Sequence, residues 1–147
     1  EVLEVAYEGA AAAAPAPGVV EAIRDAPVVV VCPSNPVTSV GPILAVPGIV
    51  AALSSRRGPT IAVSPIVGGA AVSGPAGDLM RARGLPVSPL GIARAYAPWL
   101  GTLLVDARDG SLRAELLRLG VSPVVADIVM GDPAREIALA RAVLAAA

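Results

Sequence analysis

Two short runs of branched apolar residues constrain the fold of this chain more than any other feature. Pro27–Val31 contains four consecutive valines, and Thr60–Val63 is apolar after its first residue. Strands that are apolar on both faces are typical of parallel sheets whose two faces are covered. The stretches between such runs have the apolar spacing of helices. The sequence therefore predicts an α/β fold, with a parallel sheet and helices on both of its faces.

The remaining elements follow from apolar spacing and from glycine and proline. Val2–Tyr7 mixes apolar and charged residues with the period of a half-buried strand, and Leu103–Val105 and Val124–Ala126 are further predicted strands. The predicted helices are Gly18–Asp25, Pro42–Ser54, Pro75–Gly84, Pro89–Trp99, Leu112–Leu119 and Ala134–Ala147. Pro47–Gly48 should bend or split the second helix, because an interior proline loses a helix hydrogen bond.

Composition excludes several kinds of chemistry. All 11 basic residues are arginine, histidine is absent and there is one cysteine, so no imidazole base, lysine Schiff base or Cys/His zinc site is available. The net charge is −1 without a basic run, so we expect no nucleic-acid partner. No apolar run reaches the roughly 18 residues of a membrane helix, and we expect a cytoplasmic protein without a membrane partner.

Four polar side chains follow the first buried run. Ser34, Asn35, Thr38 and Ser39 lie between that strand and the start of a helix. Such residues commonly cap a helix by accepting hydrogen bonds from its free N–H groups. The same N–H groups and the helix dipole also attract phosphate. The residues alone leave capping and anion binding equally open.

A glycine-rich loop follows the second buried run. Ser64 begins it, and Gly68 and Gly69 have no side chain that blocks a close approach of ligand to backbone. Gly69 and Gly74 have the spacing of a phosphate-binding Walker loop, but proline and alanine follow where lysine and serine or threonine are needed. A plain turn remains the alternative. The carboxylates, including Asp106 and Asp109, show no spacing that selects a metal-binding pair.

These segments resemble the 2-phospho-L-lactate transferase (CofD-type) family. The long segment VVCPSNPVTSVGPILAVPGI at Val30–Ile49 is similar to the family's signature loop. Shorter similarities follow in the family's order: AVSPIVGG at Ala62–Gly69, SGPA at Ser73–Ala76, LGIARAY at Leu90–Tyr96, LVD at Leu104–Asp106 and ADIVM at Ala126–Met130.

The resemblance implies a Rossmann-like transferase of coenzyme F-420 biosynthesis. Such an enzyme moves a phospholactyl or phosphoenolpyruvyl group from a guanosine diphosphate ester to the deazaflavin Fo and releases GMP. It also implies Mg²⁺ and a homodimer. Ser34, Asn35, Thr38 and Ser39 would line the nucleotide-diphosphate side of a cleft, and Ser64, Gly68 and Gly69 would border the same cleft.

The resemblance also implies that residues 1–147 form the carboxyl-terminal part of a single transferase domain. The family's glycine-rich first loop and metal-binding aspartates have no counterpart in this sequence, so we expect the Mg²⁺ ligands elsewhere and no catalysis by this chain alone. A related family of regulatory nucleotide-sugar-binding proteins, of the gluconeogenesis-factor type, is the alternative. That family favours Gly-Pro-Gly-Ser and an aromatic residue where this chain has Pro33–Val37.

Overall fold

A computed structural model describes residues 2–147 and contains a four-stranded parallel sheet. Its strands are β1 (Val29–Val31), β2 (Thr60–Val63), β5 (Thr102–Val105) and β6 (Ser122–Val125), in the order β1-β2-β5-β6. All three pairings are parallel, with Val30 opposite Ile61 and Ala62 opposite Leu103. A two-stranded antiparallel hairpin, β3 (Ile66–Val67) and β4 (Ala70–Ala71), follows β2. The predicted α/β fold is confirmed.

Helices cover both faces of the sheet. They are α1 (Val19–Asp25), α2 (Gly41–Leu44), α3 (Ile49–Ser55), α4 (Ala76–Ala82), α5 (Pro89–Tyr96), α6 (Arg113–Arg118) and α7 (Pro133–Ala145). Short 3₁₀ turns at Ala10–Ala12 and Ala107–Leu112 and a π-helical turn at Pro36–Val40 complete the order. Most predicted elements are present, with ends that differ by a few residues.

All four residues of β2 are buried, as the sequence predicts. The prediction that the first apolar run is also buried on both faces is wrong, because β1 lies at an edge of the sheet and Val30 is 39% exposed. In β2, Ala62 packs into the core that contains α3, α4, α5 and α6, whereas Ile61 and Val63 pack into a second core. Leu139 and Val143 of α7 close that second core. Because adjacent residues of a strand point to opposite faces, a short apolar run contributes to both cores.

The predicted strand at Val2–Tyr7 is wrong, because this segment pairs with no strand of either sheet. Val2 and Val5 instead pack on the core side that α4 and α5 cover, and Tyr7 donates a hydrogen bond to the carbonyl of Val37. A period-2 pattern becomes a strand only when another strand pairs with it, and here the segment lies against helical residues.

The predicted break at Pro47–Gly48 is confirmed. Gly48 has a left-handed φ of 94°, and the helical residues on its two sides are bent by 86° relative to each other. Helical structure begins earlier than predicted, at Pro36 rather than Pro42. Among residues 2–147, no single helix is long and apolar enough to cross a membrane; only this bent pair reaches that length and composition together, and Ala52 and Leu53 in it are buried in the core.

One arginine joins the segments at the amino end of the sheet. The Arg56 guanidinium donates to the carbonyls of Ile23, Ala26 and Gly58 at 3.2, 2.6 and 3.0 Å. It also donates to the Pro59 carbonyl and, at 3.2 Å, to the Thr60 hydroxyl. Arg56 therefore ties the end of α1 to the starts of β1 and β2.

Candidate functional site

A polar cleft of about 400 Å³ lies at the carboxyl end of β1 and β2. We call it the carboxyl-edge cleft. Its lining is Pro33, Ser34, Asn35, Thr38, Ser39, Ser64, Pro65, Val72, Ser73, Gly74, Pro75, Ala76, Ile128 and Met130. The structure thus brings five of the seven candidate site residues together. Parallel pairing explains this, because the loops that follow neighbouring strands leave the sheet at the same edge.

Asn35 caps the π-helical turn that carries two of the cleft hydroxyls. Its side-chain oxygen accepts from the backbone N–H groups of Val37 and Thr38 at 2.9 and 3.2 Å. Its carbonyl accepts from the N–H groups of Ser39 and Val40, both at 3.0 Å. The N–H groups of this turn therefore form hydrogen bonds within the turn, and Asn35 acts as its cap.

Side chains rather than these N–H groups are left to contact a ligand. Thr38 and Ser39 are exposed, and Ser34 and Asn35 are half-buried. The side-chain oxygen of Asn35 is used by the cap, whereas its NH₂ group forms no hydrogen bond with the described residues. One amide and three hydroxyls thus give the cleft neutral donors at its β1 side.

Ser64 lines the cleft, but its hydroxyl holds the adjacent chain in place. The hydroxyl donates to the carbonyl of Ile66 at 2.7 Å and accepts from the N–H of Ile66 at 3.1 Å. The residue is only 1% exposed. Ser64 therefore fixes the turn between β2 and β3.

Gly68 and Gly69 do not line the carboxyl-edge cleft. They form the two-residue turn of the β3–β4 hairpin, with φ values of 58° and 81°. Positive φ at both central residues suits a hairpin turn, and glycine adopts it without steric cost. The hairpin leads directly into Val72, Ser73 and Gly74 of the cleft lining. The structure therefore places both glycines in the hairpin turn that precedes the cleft lining and not in the lining itself.

A buried aspartate holds that hairpin. The carboxylate of Asp109 accepts a hydrogen bond from the Gly68 N–H at 2.9 Å and is 5% exposed as a residue. Asp109 lies just after β5, so this bond joins two loops that follow neighbouring strands. In the sequence, the spacing of Asp109 selected it for no metal-binding pair. Its partner lies 41 positions away, and no local pattern indicates that distance.

Asp106, also at the end of β5, is engaged by Arg108. Its carboxylate accepts from the Arg108 N–H at 3.0 Å and from Nε at 2.7 Å. These hydrogen bonds from the Arg108 side chain and backbone lower the pKa of Asp106, although burial opposes the shift. The Asp106 carboxylate also raises the pKa of Arg108. The pair fixes the start of the 3₁₀ turn at Ala107–Leu112.

Among the described residues, no group of three or more acidic or cysteine side chains marks a metal site. Among residues 2–147, no carboxylate lines the carboxyl-edge cleft. Asp106 and Asp109 already accept hydrogen bonds from protein groups. A divalent cation at this cleft would need ligands from outside the described residues, from substrate or from water.

An apolar groove of about 320 Å³ runs along β1 beside the cleft. We call it the β1 groove. It is lined by Ile23, Val29, Val30, Val31, Cys32, Ser34, Ser39, Val40, Ile43, Leu44, Ile49, Leu53 and Trp99. Ser34 and Ser39 line both the groove and the cleft. Because β1 is one of the two edge strands of the sheet, this groove is open on the side away from β2.

Sequence reasoning missed the residues on the far side of the cleft. Ser73 and Gly74 follow the hairpin, and Ile128 and Met130 follow β6. The topology could have indicated these residues, because the loop after every parallel strand leaves the sheet at the same edge. These features define the class of protein, a Rossmann-like α/β protein with a ligand-sized polar cleft at the carboxyl edge of its sheet.

Sequence comparison identifies the family. Residues 1–141 match the family model described as 2-phospho-L-lactate transferase CofD. The 2-phospho-L-lactate transferase of Methanothermobacter thermautotrophicus is 42% identical over 130 residues, which is 88% of this chain and 42% of that protein. The enzyme of the same name from Methanosarcina barkeri is 40% identical over 144 residues, 98% of this chain and 46% of that protein. The chain belongs to the 2-phospho-L-lactate transferase CofD family.

Solved structures with the same fold are more distant in sequence. A Bacillus halodurans protein aligns with a TM-score of 0.58 at 21% identity, over 89% of this chain and 47% of that one. A second structure of the same protein, a member of the UPF0052 family, gives a TM-score of 0.53 at 22% identity, with the same coverage. These similarities support the fold. The chain spans less than half the length of these curated relatives and solved structures.

Proposed function

We propose that the protein carrying this chain transfers a phospholactyl or phosphoenolpyruvyl group from a guanosine diphosphate ester to the deazaflavin Fo. The main support is that this chain belongs to the transferase family and that its fold brings four polar residues to one cleft: Ser34, Asn35, Thr38 and Ser39. The volume of about 400 Å³ suits part of a nucleotide diphosphate.

In the proposed reaction, the terminal ribityl hydroxyl of Fo attacks the phosphorus nearer the acid. A new P–O bond forms to Fo, the P–O bond to the guanosine side breaks, GMP leaves, and the hydroxyl proton passes to solvent. Positioning and charge stabilisation dominate phosphoryl-type transfer, so a cleft without a basic side chain is compatible with it.

The neutral donors of the cleft would hold the diphosphate oxygens of the donor substrate. The hydroxyls of Thr38 and Ser39 and the free NH₂ group of Asn35 project from one rigid turn, so their relative positions are set before the substrate arrives. Hydrogen bonds to charged oxygens are about twice as strong as neutral ones. No ionisable side chain lines the cleft among residues 2–147, so this chain supplies orientation more than charge.

The proposal extends to three further points. Mg²⁺ is held by ligands outside residues 1–147, in keeping with the engaged carboxylates at the end of β5. The complete protein is a homodimer. Residues 1–147 alone do not release GMP, since the cleft is bordered by the open β1 groove and the chain aligns to less than half of its relatives.

The test incubates the natural full-length protein with Mg²⁺, Fo and either the lactyl or the enolpyruvyl guanosine diphosphate ester. The release of GMP is measured by chromatography. We expect product formation that requires Fo. Binding of the nucleotide without turnover under any of these conditions would instead support the regulatory nucleotide-sugar-binding alternative. The isolated 147-residue chain, assayed in parallel, should show no release.

Two serine variants test whether the nucleotide binds at the carboxyl-edge cleft. Ser39→Ala removes a cleft hydroxyl, whereas the control Ser55→Ala removes one at the end of α3, where it donates to the Ala52 carbonyl. Loss of a hydrogen bond to a charged oxygen costs about 1–3 kcal/mol, so Ser39→Ala should weaken GDP binding roughly tenfold. Isothermal titration with GDP measures this. Equal affinities of the two variants would place the nucleotide elsewhere.

A further inference from the structure

The π-helical turn behind the cleft has a carbonyl that its own ladder leaves without a donor. In a π-helix the N–H of residue i+5 bonds to the carbonyl of residue i, as the Val40 N–H bonds to the Asn35 carbonyl at 3.0 Å. For the Val37 carbonyl, the residue five positions later is Pro42, which has no N–H. Val37 is buried, so its carbonyl needs another partner.

Tyr7 supplies that partner from a segment 30 positions away. Its hydroxyl donates to the Val37 carbonyl. The approach depends on Gly41, because a Cβ there would collide with the Tyr7 hydroxyl and lie 2.8 Å from Cζ. A proline that removes one donor and a glycine that admits another therefore stand next to each other in the sequence.

The ring of Tyr7 also contacts the helix on the other side of the cleft. The Arg83 guanidinium lies over it, 5.1 Å from the ring centroid, in the range of a cation–π interaction. Arg83 is the C-cap residue of α4, whose first residue, Ala76, lines the carboxyl-edge cleft. The turn that accepts the Tyr7 hydroxyl carries Thr38 and Ser39 to the opposite side of the same cleft.

We propose that Tyr7, from outside the carboxyl-edge cleft, is a positioning residue that sets how the two sides of the cleft are placed relative to each other. It does not line the cleft, so it acts through the turn at Pro36–Val40 and through α4. Without the hydroxyl bond, the Val37 carbonyl lacks its donor and the turn loosens. The ligand part of this inference rests on the proposed function, whereas the effect on the turn does not.

The experiment compares Tyr7→Phe, Gly41→Ala and the control Tyr96→Phe in the natural full-length protein. Tyr7→Phe keeps the ring and its contact with Arg83 and removes only the hydroxyl. Gly41→Ala displaces the same hydroxyl from the other side. Tyr96→Phe removes the hydroxyl of another buried tyrosine ring; this hydroxyl forms no hydrogen bond with the described residues, and Tyr96 does not line the cleft.

Two readouts separate positioning from general stability. Hydrogen exchange by mass spectrometry should quicken over residues 37–44 in Tyr7→Phe and Gly41→Ala but not over β5. GDP binding by calorimetry should weaken about fivefold in both, the loss expected for one hydrogen bond. The double variant should lose less than the product of the two, because both changes break one contact.

Each outcome bears on the proposal. Unchanged exchange over residues 37–44 in Tyr7→Phe overturns it, and so does faster exchange with GDP affinity equal to that of the unsubstituted protein. If the unsubstituted protein binds no GDP, the proposed function fails, and the exchange pattern alone decides whether Tyr7 holds the turn. Should Gly41→Ala fail to fold, Tyr7→Phe carries the test, since it adds no atom.

Discussion

The two ends of the sheet use polar groups in opposite ways. At the amino end, one guanidinium donates to four backbone carbonyls and a hydroxyl, and a Cβ at Gly58 would lie only 2.5 Å from the Pro27 carbonyl oxygen. At the carboxyl end, hydroxyls and an amide face a cleft. One end therefore uses its donors to join segments, and the other keeps donors available. Stability and ligand binding should separate along the strand direction.

The largest expected effect tests the amino end. Arg56→Met keeps an apolar stem but leaves the bonded carbonyls without a donor. We expect a loss of about 3 kcal/mol in the free energy of unfolding, since hydrogen bonds to charged groups are worth about 1.5–3 kcal/mol each and water replaces part of them. Urea denaturation of the full-length protein measures the loss. GDP affinity of the folded variant should stay unchanged.

Arg57 provides the matched control for that prediction. It neighbours Arg56, is exposed, and forms no side-chain hydrogen bond with the described residues. Arg57→Met removes the same charge and should change stability by less than about 0.5 kcal/mol. If both variants lose equal stability, the effect belongs to charge rather than to the carbonyl contacts.

The next effect lies at the junction behind the cleft. Asp109→Ala leaves the Gly68 N–H without its partner, and we expect a loss of about 2 kcal/mol of stability together with weaker GDP binding. Asp109→Asn keeps an acceptor oxygen and should lose much less. Thermal unfolding and calorimetry follow the two quantities. A loss of stability with intact GDP binding would show that the hairpin does not shape the cleft.

Asn35 sharpens the comparison, because its two side-chain atoms have different roles. Asn35→Ala removes the cap and should cost about 1 kcal/mol of stability as well as GDP affinity. Asn35→Asp keeps the capping oxygen but replaces the NH₂ donor by a negative oxygen, so stability should hold while GDP binding falls further. Urea denaturation and calorimetry on both variants measure this. Unchanged GDP affinity in Asn35→Asp would assign the residue to capping alone.

The smallest effect is a pH dependence from Asp106. Its pKa is lowered in the folded state by hydrogen bonds from Arg108, so folding disfavours protonation. The stabilising contribution is complete above the ordinary aspartate pKa of about 4 and is lost as pH falls through the lower folded-state pKa. Stability measured between pH 6 and 3 should fall less steeply in Asp106→Asn. The same slope in both proteins would contradict the role of this pair.

The sequence alone predicted what depends on neighbouring residues. The strand at the valines of β1 and the helix break at Pro47–Gly48 depend on residues within a few positions, and capping by Asn35 was one of the two roles left open. Val2–Tyr7 was predicted wrongly, because pairing depends on which surface the segment meets and the alternation does not specify it. The Gly68–Gly69 pair is typical of a hairpin turn, although we expected these glycines at the border of the cleft. Its bond to Asp109 and the bond of Tyr7 to Val37 join distant positions, and only the folded chain shows them.

Ser34 and Ser39 lie where the polar cleft meets the β1 groove. The surroundings of their hydroxyls determine how strongly these hydroxyls would hold an anionic ligand. With the groove open, water reaches these hydroxyls from the apolar side and screens any anion they hold. A segment that covers the groove excludes that water and lowers the local dielectric constant, so the same hydrogen bonds become electrostatically stronger. Under the proposed function, nucleotide affinity should therefore depend on an apolar surface that the nucleotide need not touch.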